Sequence, residues 1–143
     1  MTLIQDDQKW VGQYFQAKEF KCPCCGINAV HPRLVLRLDK IRAEIGVPLR
    51  ISSGVRCPSH NANVGGASNS FHMPRDGGKG WAADFTFSSA ALKVPINIVK
   101  LYLAACEQSI ASGGVILYPT WVHVDVRPKR YRSTKKFPWP RLA

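Results

Sequence analysis

Hydrophobic residues recur at helical spacing in two long stretches of the chain. One stretch begins after Pro32, which suits a first helical turn, and stops at Gly46, which suits a helix end. Its apolar face is formed by Leu34, Leu38, Ile41 and Ile45. The corresponding positions of the other stretch, after Pro95, are Val99, Leu103, Cys106 and Ile110. These spacings predict two long helices, and we expect His31 to cap the first one.

Alternation of apolar and polar residues predicts strands over residues 49–53, 81–87, 113–118 and 120–126. In the second of these, one buried face is expected at Trp81, Ala83, Phe85 and Phe87. A further amphipathic stretch over residues 7–18 predicts a short N-terminal helix. The helices and strands do not follow one another in a regular βαβ rhythm. We therefore predict an α+β fold with a mainly antiparallel sheet flanked by helices.

The length and composition are typical of one soluble globular domain. The chain has 143 residues, of which 45% are hydrophobic and 20% are charged. No segment has the roughly 20 consecutive apolar residues of a membrane span, and the first residues lack the pattern of a signal peptide. We expect a monomer that is cytoplasmic at synthesis. We predict a catalytic domain over residues 1–127 and a basic tail over residues 128–143.

Positive charge is concentrated near the C-terminus. Lysine and arginine number 20 against 9 acidic residues, which gives a formal net charge of +11. The cations of the last segment are Arg127, Lys129, Arg130, Arg132, Lys135, Lys136 and Arg141. Such a block suits nucleic acid, anionic lipid or the anionic polymers of a bacterial envelope, and a solvated basic surface explains it equally well. Because no nucleic-acid motif accompanies the charge, we predict no specific nucleic-acid binding.

The cysteines show no complete metal-binding or disulfide pattern. Cys22 and Cys25 have CxxC spacing, but no second CxxC or CxxH follows at the spacing of a zinc finger. Cys57 and Cys106 stand alone. Two interpretations remain open: reduced, partly buried thiols, or a second structural metal site that uses these cysteines together with His31.

The last predicted strand places an imidazole beside a carboxylate. Its valines face the core, so His123 and Asp125 lie on the opposite face. His72 closes a segment rich in glycine, serine and asparagine, which suits a site built from loops. Two imidazoles and one carboxylate, with water in a fourth position, form a catalytic zinc set. His72, Asp84 and His123 are therefore candidate ligands, although each histidine also has a purely structural interpretation.

Four motifs resemble those of the M15 family of peptidoglycan peptidases. They are Ser53-Gly-Val-Arg-Cys-Pro-Ser-His-Asn, Val64-Gly-Gly-Ala-Ser-Asn-Ser-Phe-His, Ala82-Ala-Asp and Val122-His-Val-Asp-Val-Arg. This family includes zinc D-Ala-D-Ala carboxypeptidases and phage endolysins, and the hedgehog signalling fold is a more distant relative. The resemblance implies a hedgehog-type, DD-peptidase-like fold and one catalytic Zn²⁺ on the three candidate ligands.

The resemblance also assigns roles by position. Arg56 corresponds to an arginine near the substrate carbonyl, Ser70 to a serine beside the first ligand histidine, and His60 to the loop that supports the site. Many relatives carry an acidic general base at the position of Thr120, which cannot serve in that role. Asp125 is the nearest carboxylate, either as the catalytic base or as an acceptor that orients an imidazole. Both roles remain open.

The resemblance has one departure in spacing. Asp84 follows His72 by 12 positions, which is longer than usual in the family. The extra residues fall within residues 73–80, a turn-forming loop where an insertion costs little. We expect the ligands to be unaffected and the rim of the cleft to differ.

These features together predict a zinc-dependent peptidase that hydrolyses an amide bond in the peptide stem of bacterial peptidoglycan. It would act as a D,D-carboxypeptidase or an endopeptidase, and as a phage endolysin or related lytic enzyme that reaches the cell wall after release. The basic tail is expected to bind anionic envelope polymers. The alternative is a catalytically impaired peptidoglycan-binding module of the same fold.

Overall fold

The computed structural model describes residues 4–139, apart from the side chain of Asp76. The α-helices are α1 (Pro32–Ile45), α2 (Pro58–Asn63) and α3 (Pro95–Glu107). The strands are β1 (Leu49–Ser53), β2 (Ala82–Phe87), β3 (Gly113–Leu117), β4 (Val122–Asp125) and β5 (Arg130–Ser133). Short 3₁₀ turns cover Ala17–Phe20, Asp76–Gly78 and Ala90–Leu92. The α+β fold class is confirmed.

The strands of the described chain form one mixed sheet in the order β1-β2-β4-β3-β5. The pairs β1–β2, β2–β4 and β4–β3 are antiparallel, whereas β5 lies parallel to β3. The sheet is thus mainly antiparallel, as expected. The hedgehog-type topology implied by the resemblance stays a prediction.

Helix α1 begins and ends where the sequence pattern places it. His31 Nδ1 accepts a hydrogen bond from Arg33 N at 3.1 Å, Pro32 occupies the first turn, and Gly46 ends the helix with a φ of 77°. The apolar face of α1 packs against α3, which in turn packs against β3 and β4. None of the described helices combines the length and apolarity needed to cross a bilayer.

The helix predicted over residues 7–18 is wrong. Trp10 instead forms an isolated antiparallel bridge with Gln16, and Trp10 is 61% exposed. The carboxylate of Asp39, on α1, accepts hydrogen bonds from the backbone N–H groups of Gln13 and Tyr14 at 2.8 and 3.1 Å. These donors are therefore satisfied by a side chain from a distant element rather than by a local helix.

Two other local predictions need correction. Strand β2 is buried on both faces rather than one, because the core covers one face and the opposite face, which carries Asp84, is covered as well. Helix α3 ends at Glu107, three residues before Ile110. Leu103 and Ile110 were predicted on the buried face of this helix and are instead 53% and 73% exposed. The buried face of α3 is formed by other residues, namely Ile98, Leu101, Tyr102, Ala104 and Ala105.

Part of the basic segment after residue 127 is built into the fold. Strand β5 pairs with β3, and Arg132 Nη1 donates to Gly113 O at 2.7 Å. Phe137 is buried within the hydrophobic core. Arg141 lies outside the described residues. The domain boundary at residue 127 stays a prediction.

Candidate active site

Strands β2 and β4 bring a carboxylate and an imidazole to the same place. Asp84 and His123 are direct partners in the antiparallel register, so their side chains leave the sheet on the same face. His72 arrives from the loop that follows α2. Backbone hydrogen bonds of 2.9 Å tie this loop down, from Arg56 N to His72 O and from Trp81 N to Phe71 O.

Three potential ligand atoms converge at this point. Asp84 Oδ1 lies 3.3 Å from His72 Nε2 and 3.0 Å from His123 Nδ1. The imidazole rings meet edge to face, with centroids 5.2 Å apart. All three residues are buried, and their ligand atoms lie within 4.8 Å of one another. Since zinc binds nitrogen and oxygen at about 2.0–2.2 Å, atoms at these separations can share one ion.

The other ring nitrogen of each histidine contacts a hydrogen-bond acceptor. His72 Nδ1 lies 2.8 Å from Gly54 O, and His123 Nε2 lies 2.8 Å from Asp125 Oδ2. Because a carbonyl oxygen can only accept, His72 Nδ1 carries the proton and Nε2 keeps its lone pair for a metal. Acceptors of this kind fix the orientation and tautomer of metal-binding imidazoles.

The protonation of the cluster follows from its contacts. Burial disfavours charge on His123, but the hydrogen bonds to Asp125 and Asp84 outweigh burial and raise the pKa of His123 to about 9. Burial lowers the pKa of His72 and outweighs the opposing effect of Asp84. Burial opposes ionisation of Asp84 too, yet the hydrogen bonds from His123 and His72 bring its pKa below the usual range. At neutral pH, Asp84 is anionic and His72 is neutral, which are the forms that bind metals, whereas His123 carries a proton that a metal would displace.

Asp125 is fully buried and its carboxylate is saturated with hydrogen bonds. Oδ2 accepts from His123 Nε2 at 2.8 Å and from Arg127 Nη2 at 2.6 Å. Oδ1 accepts from Arg127 Nε at 2.8 Å and from Gly114 N at 2.9 Å. A Cβ at position 114 would lie 2.4 Å from Asp125 Oδ2, so only glycine leaves room for this arrangement. These contacts suit a carboxylate that orients His123.

A cavity of about 470 Å³ opens over the cluster. Asp84 is the only carboxylate among the described residues that line it, whereas Arg56 and Arg127 bring positive charge to its wall. A cavity of this size accommodates a small peptide, and its charge favours an anionic one.

The rim of the cavity is aromatic, a feature that the sequence analysis missed. Tyr118 stacks on Trp121 with ring centroids 4.6 Å apart. Phe71 and Tyr131 each lie 4.6 Å from the Arg127 guanidinium. Trp121 lies on the same strand face as His123, and Phe71 directly precedes His72. Their positions next to the ligand motifs could therefore have predicted that they line the site. The two tyrosines have no comparable signal.

The sequence also matches a protein-family model. A model described as Peptidase M15 matches residues 13–125. This chain belongs to the peptidase M15 family. Membership implies a metallopeptidase, and His72, Asp84 and His123 form its candidate metal-binding group. The searches of curated proteins and of solved structures found no significant match.

Two further residues singled out by the M15 resemblance line the cavity. Arg56 Nη2 donates to Asp84 Oδ2 at 3.3 Å, and Arg56 Nε donates to Ser53 Oγ at 3.0 Å. Ser70 Oγ accepts a hydrogen bond from His72 N at 3.1 Å. Both residues therefore lie where they contact the candidate ligands directly.

Two other positions of the M15 pattern lie apart from the cluster. His60 lines a separate depression of about 220 Å³, together with Glu19 and Lys21. Thr120 is exposed, and its carbonyl oxygen accepts from Thr86 Oγ1 at 2.7 Å. Neither His60 nor Thr120 belongs to the described lining of the cavity.

The residues that lengthen the spacing between His72 and Asp84 lie outside the described lining of the cavity. Gly80 forms a parallel bridge with Val30, which anchors the end of this loop. The Arg75 guanidinium lies 4.0 Å from the centre of the Phe71 ring. The longer loop leaves the candidate ligands together. A rim that differs from that of other M15 peptidases stays a prediction.

Proposed function

We propose that this M15 peptidase binds one catalytic zinc ion at His72, Asp84 and His123 and hydrolyses an amide bond in the peptide stem of bacterial peptidoglycan. The observation that carries the proposal is the convergence of two imidazole nitrogens on one carboxylate oxygen, at 3.3 and 3.0 Å. A set of three protein ligands leaves a coordination position open, which is typical of catalytic rather than structural zinc.

The chain's own residues bind and orient the substrate in this proposal. Zinc, when bound, supplies Lewis acidity and a water molecule of lowered pKa. Arg56 lies at the cavity wall with its side chain 15% exposed, so its charge acts on a developing oxyanion with little screening by water. Ser70 Oγ accepts a hydrogen bond from His72 N, which leaves the hydroxyl hydrogen free to donate to the substrate.

Asp125 acts, in this proposal, on the metal ligand rather than on the substrate. It accepts the proton of His123 Nε2 and is fully buried beneath the cavity wall. Of the two roles open to it, general base and orienting acceptor, its contacts support the second. A carboxylate that already accepts from Arg127 and Gly114 has little remaining capacity to take a proton from water.

The charge of the cavity supports the choice of substrate. A peptide stem ends in a carboxylate, which Arg56 and Arg127 in the cavity wall can attract. Asp84 is the only carboxylate of the described lining that would compete with the substrate for these arginines. The stacked pair of Tyr118 and Trp121 offers a flat apolar surface to the small side chains of such a stem. We further propose that the protein serves as a phage endolysin or related lytic enzyme, made in the cytoplasm and acting on the wall after release.

The direct test is a digest of purified peptidoglycan sacculi, with the products identified by mass spectrometry. Zinc-loaded protein is expected to release D-Ala or cut cross-links, and both a chelator and His123→Ala are expected to abolish the products. His31→Asn serves as the matched control, because it changes a histidine of the α1 cap and leaves the cluster intact. Unchanged turnover by soluble, folded His123→Ala would contradict the metal assignment.

A second function, a peptidoglycan-binding module without turnover, is favoured by one observation. Among the described residues that line the cavity, none besides Asp84 carries a carboxylate that could serve as a general base. Stoichiometric zinc and tight binding to sacculi, with no new products in the digest, would select this alternative.

A further inference from the structure

A second group of metal-binding side chains lies outside the cavity. The sulfur atoms of Cys22, Cys25 and Cys57 lie within 4.8 Å of one another, and all three thiols are free. Cys22 and Cys57 are buried, and Cys25 is exposed. The cluster contributes nothing to the proposed peptidase chemistry, so it needs an explanation of its own.

The backbone around this cluster is shaped to direct the sulfur atoms together. The turn Cys22-Pro-Cys-Cys-Gly26 is closed by a hydrogen bond from Gly26 N to Cys22 O at 2.9 Å. Gly26 has a φ of 81°, in the left-handed region that favours glycine. This turn presents Cys22 and Cys25 to Cys57, which caps α2 from another part of the chain.

Backbone N–H groups also point at the sulfur atoms. Cys57 N donates to Cys22 Sγ, and His60 N donates to Cys57 Sγ, both at 3.4 Å. N–H donors aimed at sulfur favour the thiolate form, which is the form that binds metals. Cys24 lies in the same turn between Cys22 and Cys25 and is also free, so its thiol is available for a fourth position.

We propose that Cys22, Cys25 and Cys57 bind a second zinc ion, with the Cys24 thiol of the same turn completing a four-coordinate structural site that is independent of the catalytic one. Sulfur atoms around tetrahedral zinc lie about 3.8 Å apart when each Zn–S bond is about 2.3 Å, and the observed cluster meets this spacing with small shifts. A disulfide would join two of the sulfur atoms and leave the third unused. His31, considered with the cysteines from sequence, is absent from the cluster, and its Nδ1 is occupied by the α1 cap.

The second zinc would fix the segment that supports the catalytic cluster. Gly54 O accepts from His72 Nδ1, and Arg56 donates to Asp84, and both residues lie within three positions of Cys57. The segment packs closely against Phe20, two residues before the turn, because Val55 N donates to Phe20 O at 2.9 Å. A Cβ on Gly54 would lie 2.5 Å from Phe20 O, so the two segments are already in tight contact.

Metal content tests the proposal without reference to activity. The full chain, purified with zinc under reducing conditions, is expected to contain two zinc ions by elemental analysis and native mass spectrometry. Cys57→Ser and His123→Ala are each expected to contain one, and Cys106→Ser, a cysteine on α3 away from the cluster, is expected to contain two. Replacement of zinc by cobalt should give a thiolate-to-cobalt charge-transfer absorption that His123→Ala keeps and Cys57→Ser loses.

The cobalt spectrum keeps the test decisive even if Cys57→Ser does not fold, since it is read on the wild type and on His123→Ala. Wild-type protein without that absorption, or with a single zinc that His123→Ala removes, would overturn the proposal. So would a disulfide among the three cysteines in the intact mass of freshly purified protein. A thiolate–cobalt band in protein with one metal would support this site while counting against the catalytic one.

Discussion

At the scale of single residues, the two nitrogens of each imidazole have different partners. His72 Nδ1 contacts Gly54 O and His123 Nε2 contacts Asp125, so the opposite nitrogen of each ring faces Asp84. Asp125 can therefore act on a metal only through His123. This separation of roles makes the contribution of Asp125 measurable.

Asp125→Asn is expected to weaken zinc binding by about 10- to 100-fold, because outer carboxylates strengthen and orient metal-binding imidazoles. At saturating zinc, most of kcat should remain. Zinc affinity is measured by competition with a chromophoric chelator, and kcat is measured across pH. Asp39→Asn, which changes a carboxylate on α1, is the control. A large loss of kcat with zinc fully bound, together with loss of the acidic limb of the pH profile, would instead identify Asp125 as the general base.

Gly114→Ala is expected to displace the Asp125 carboxylate, since the new Cβ would lie 2.4 Å from Asp125 Oδ2 and 2.7 Å from Arg127 Nε. Overpacking of this kind lowers the free energy of unfolding by about 1–3 kcal/mol, and zinc affinity should fall with it. Chemical denaturation and zinc titration measure the two effects. Gly46→Ala, in open space with a φ of 77°, should lower stability alone. Equal zinc affinity in both variants would show that Asp125 does not position His123.

At the scale of elements, the sequence pattern predicted those features that depend on residues close together in the chain. Pro32 and Gly46 predicted the ends of α1, because both act through their own backbone angles. Residues 7–18 share the periodicity of a helix but form none, since the acceptor for their N–H groups is Asp39 on another element. The candidate cluster was accessible from sequence because strand alternation marks Asp84 and His123 and the family motifs mark all three of its residues. Convergence of Cys57 on the turn at Cys22 was not accessible, because it depends on a contact across 35 positions.

The cap of α1 gives a pH-dependent contribution to stability. Burial lowers the pKa of His31, and the nearby cations Arg33, Lys79 and Arg37 lower it further. The unfolded chain, with an ordinary histidine pKa near 6.5, therefore binds more protons below that pH, and stability falls as the pH decreases. Protonated Nδ1 also loses its role as acceptor for Arg33 N.

His31→Asn is expected to keep the cap and remove this pH dependence, because asparagine caps helices well and does not titrate. The difference in unfolding free energy between the two proteins should be constant above about pH 7 and shift in favour of the variant below about 6.5. Urea unfolding from pH 5 to 8 provides the measurement. Parallel stability curves over this range would contradict the prediction.

At the scale of the whole molecule, the basic residues after position 127 lie in a segment that also contributes to the sheet and the hydrophobic core. Lys129, Lys135 and Lys136 are exposed, whereas Phe137 between them and the end of the described chain is buried in the core. Deletion of residues 128–143 would therefore remove core packing together with positive charge, and a loss of envelope binding could not be assigned to either one. Charge reversal at the exposed lysines tests envelope binding more cleanly.

The triple variant Lys129→Glu, Lys135→Glu, Lys136→Glu is expected to bind sacculi more weakly at low salt and to show a smaller further loss as salt rises, because fewer cations contribute to its binding. The matched control is Lys40→Glu, Arg50→Glu, Lys100→Glu, which removes the same charge from exposed positions elsewhere. Sedimentation with sacculi over a range of salt concentrations measures binding. Equal losses in the two triple variants would show that net charge, rather than this segment, attracts the wall.

Strand β5 has a consequence for solubility. Without it, β3 would become the edge of the sheet, and its sequence Gly113-Gly-Val-Ile-Leu117 carries no charge to prevent another chain from pairing with it. Strand β5 instead presents the exposed Arg130 at that edge, and charged edge strands resist intermolecular β-pairing. We therefore expect Arg130 to protect the folded protein from aggregation, independently of any role in binding.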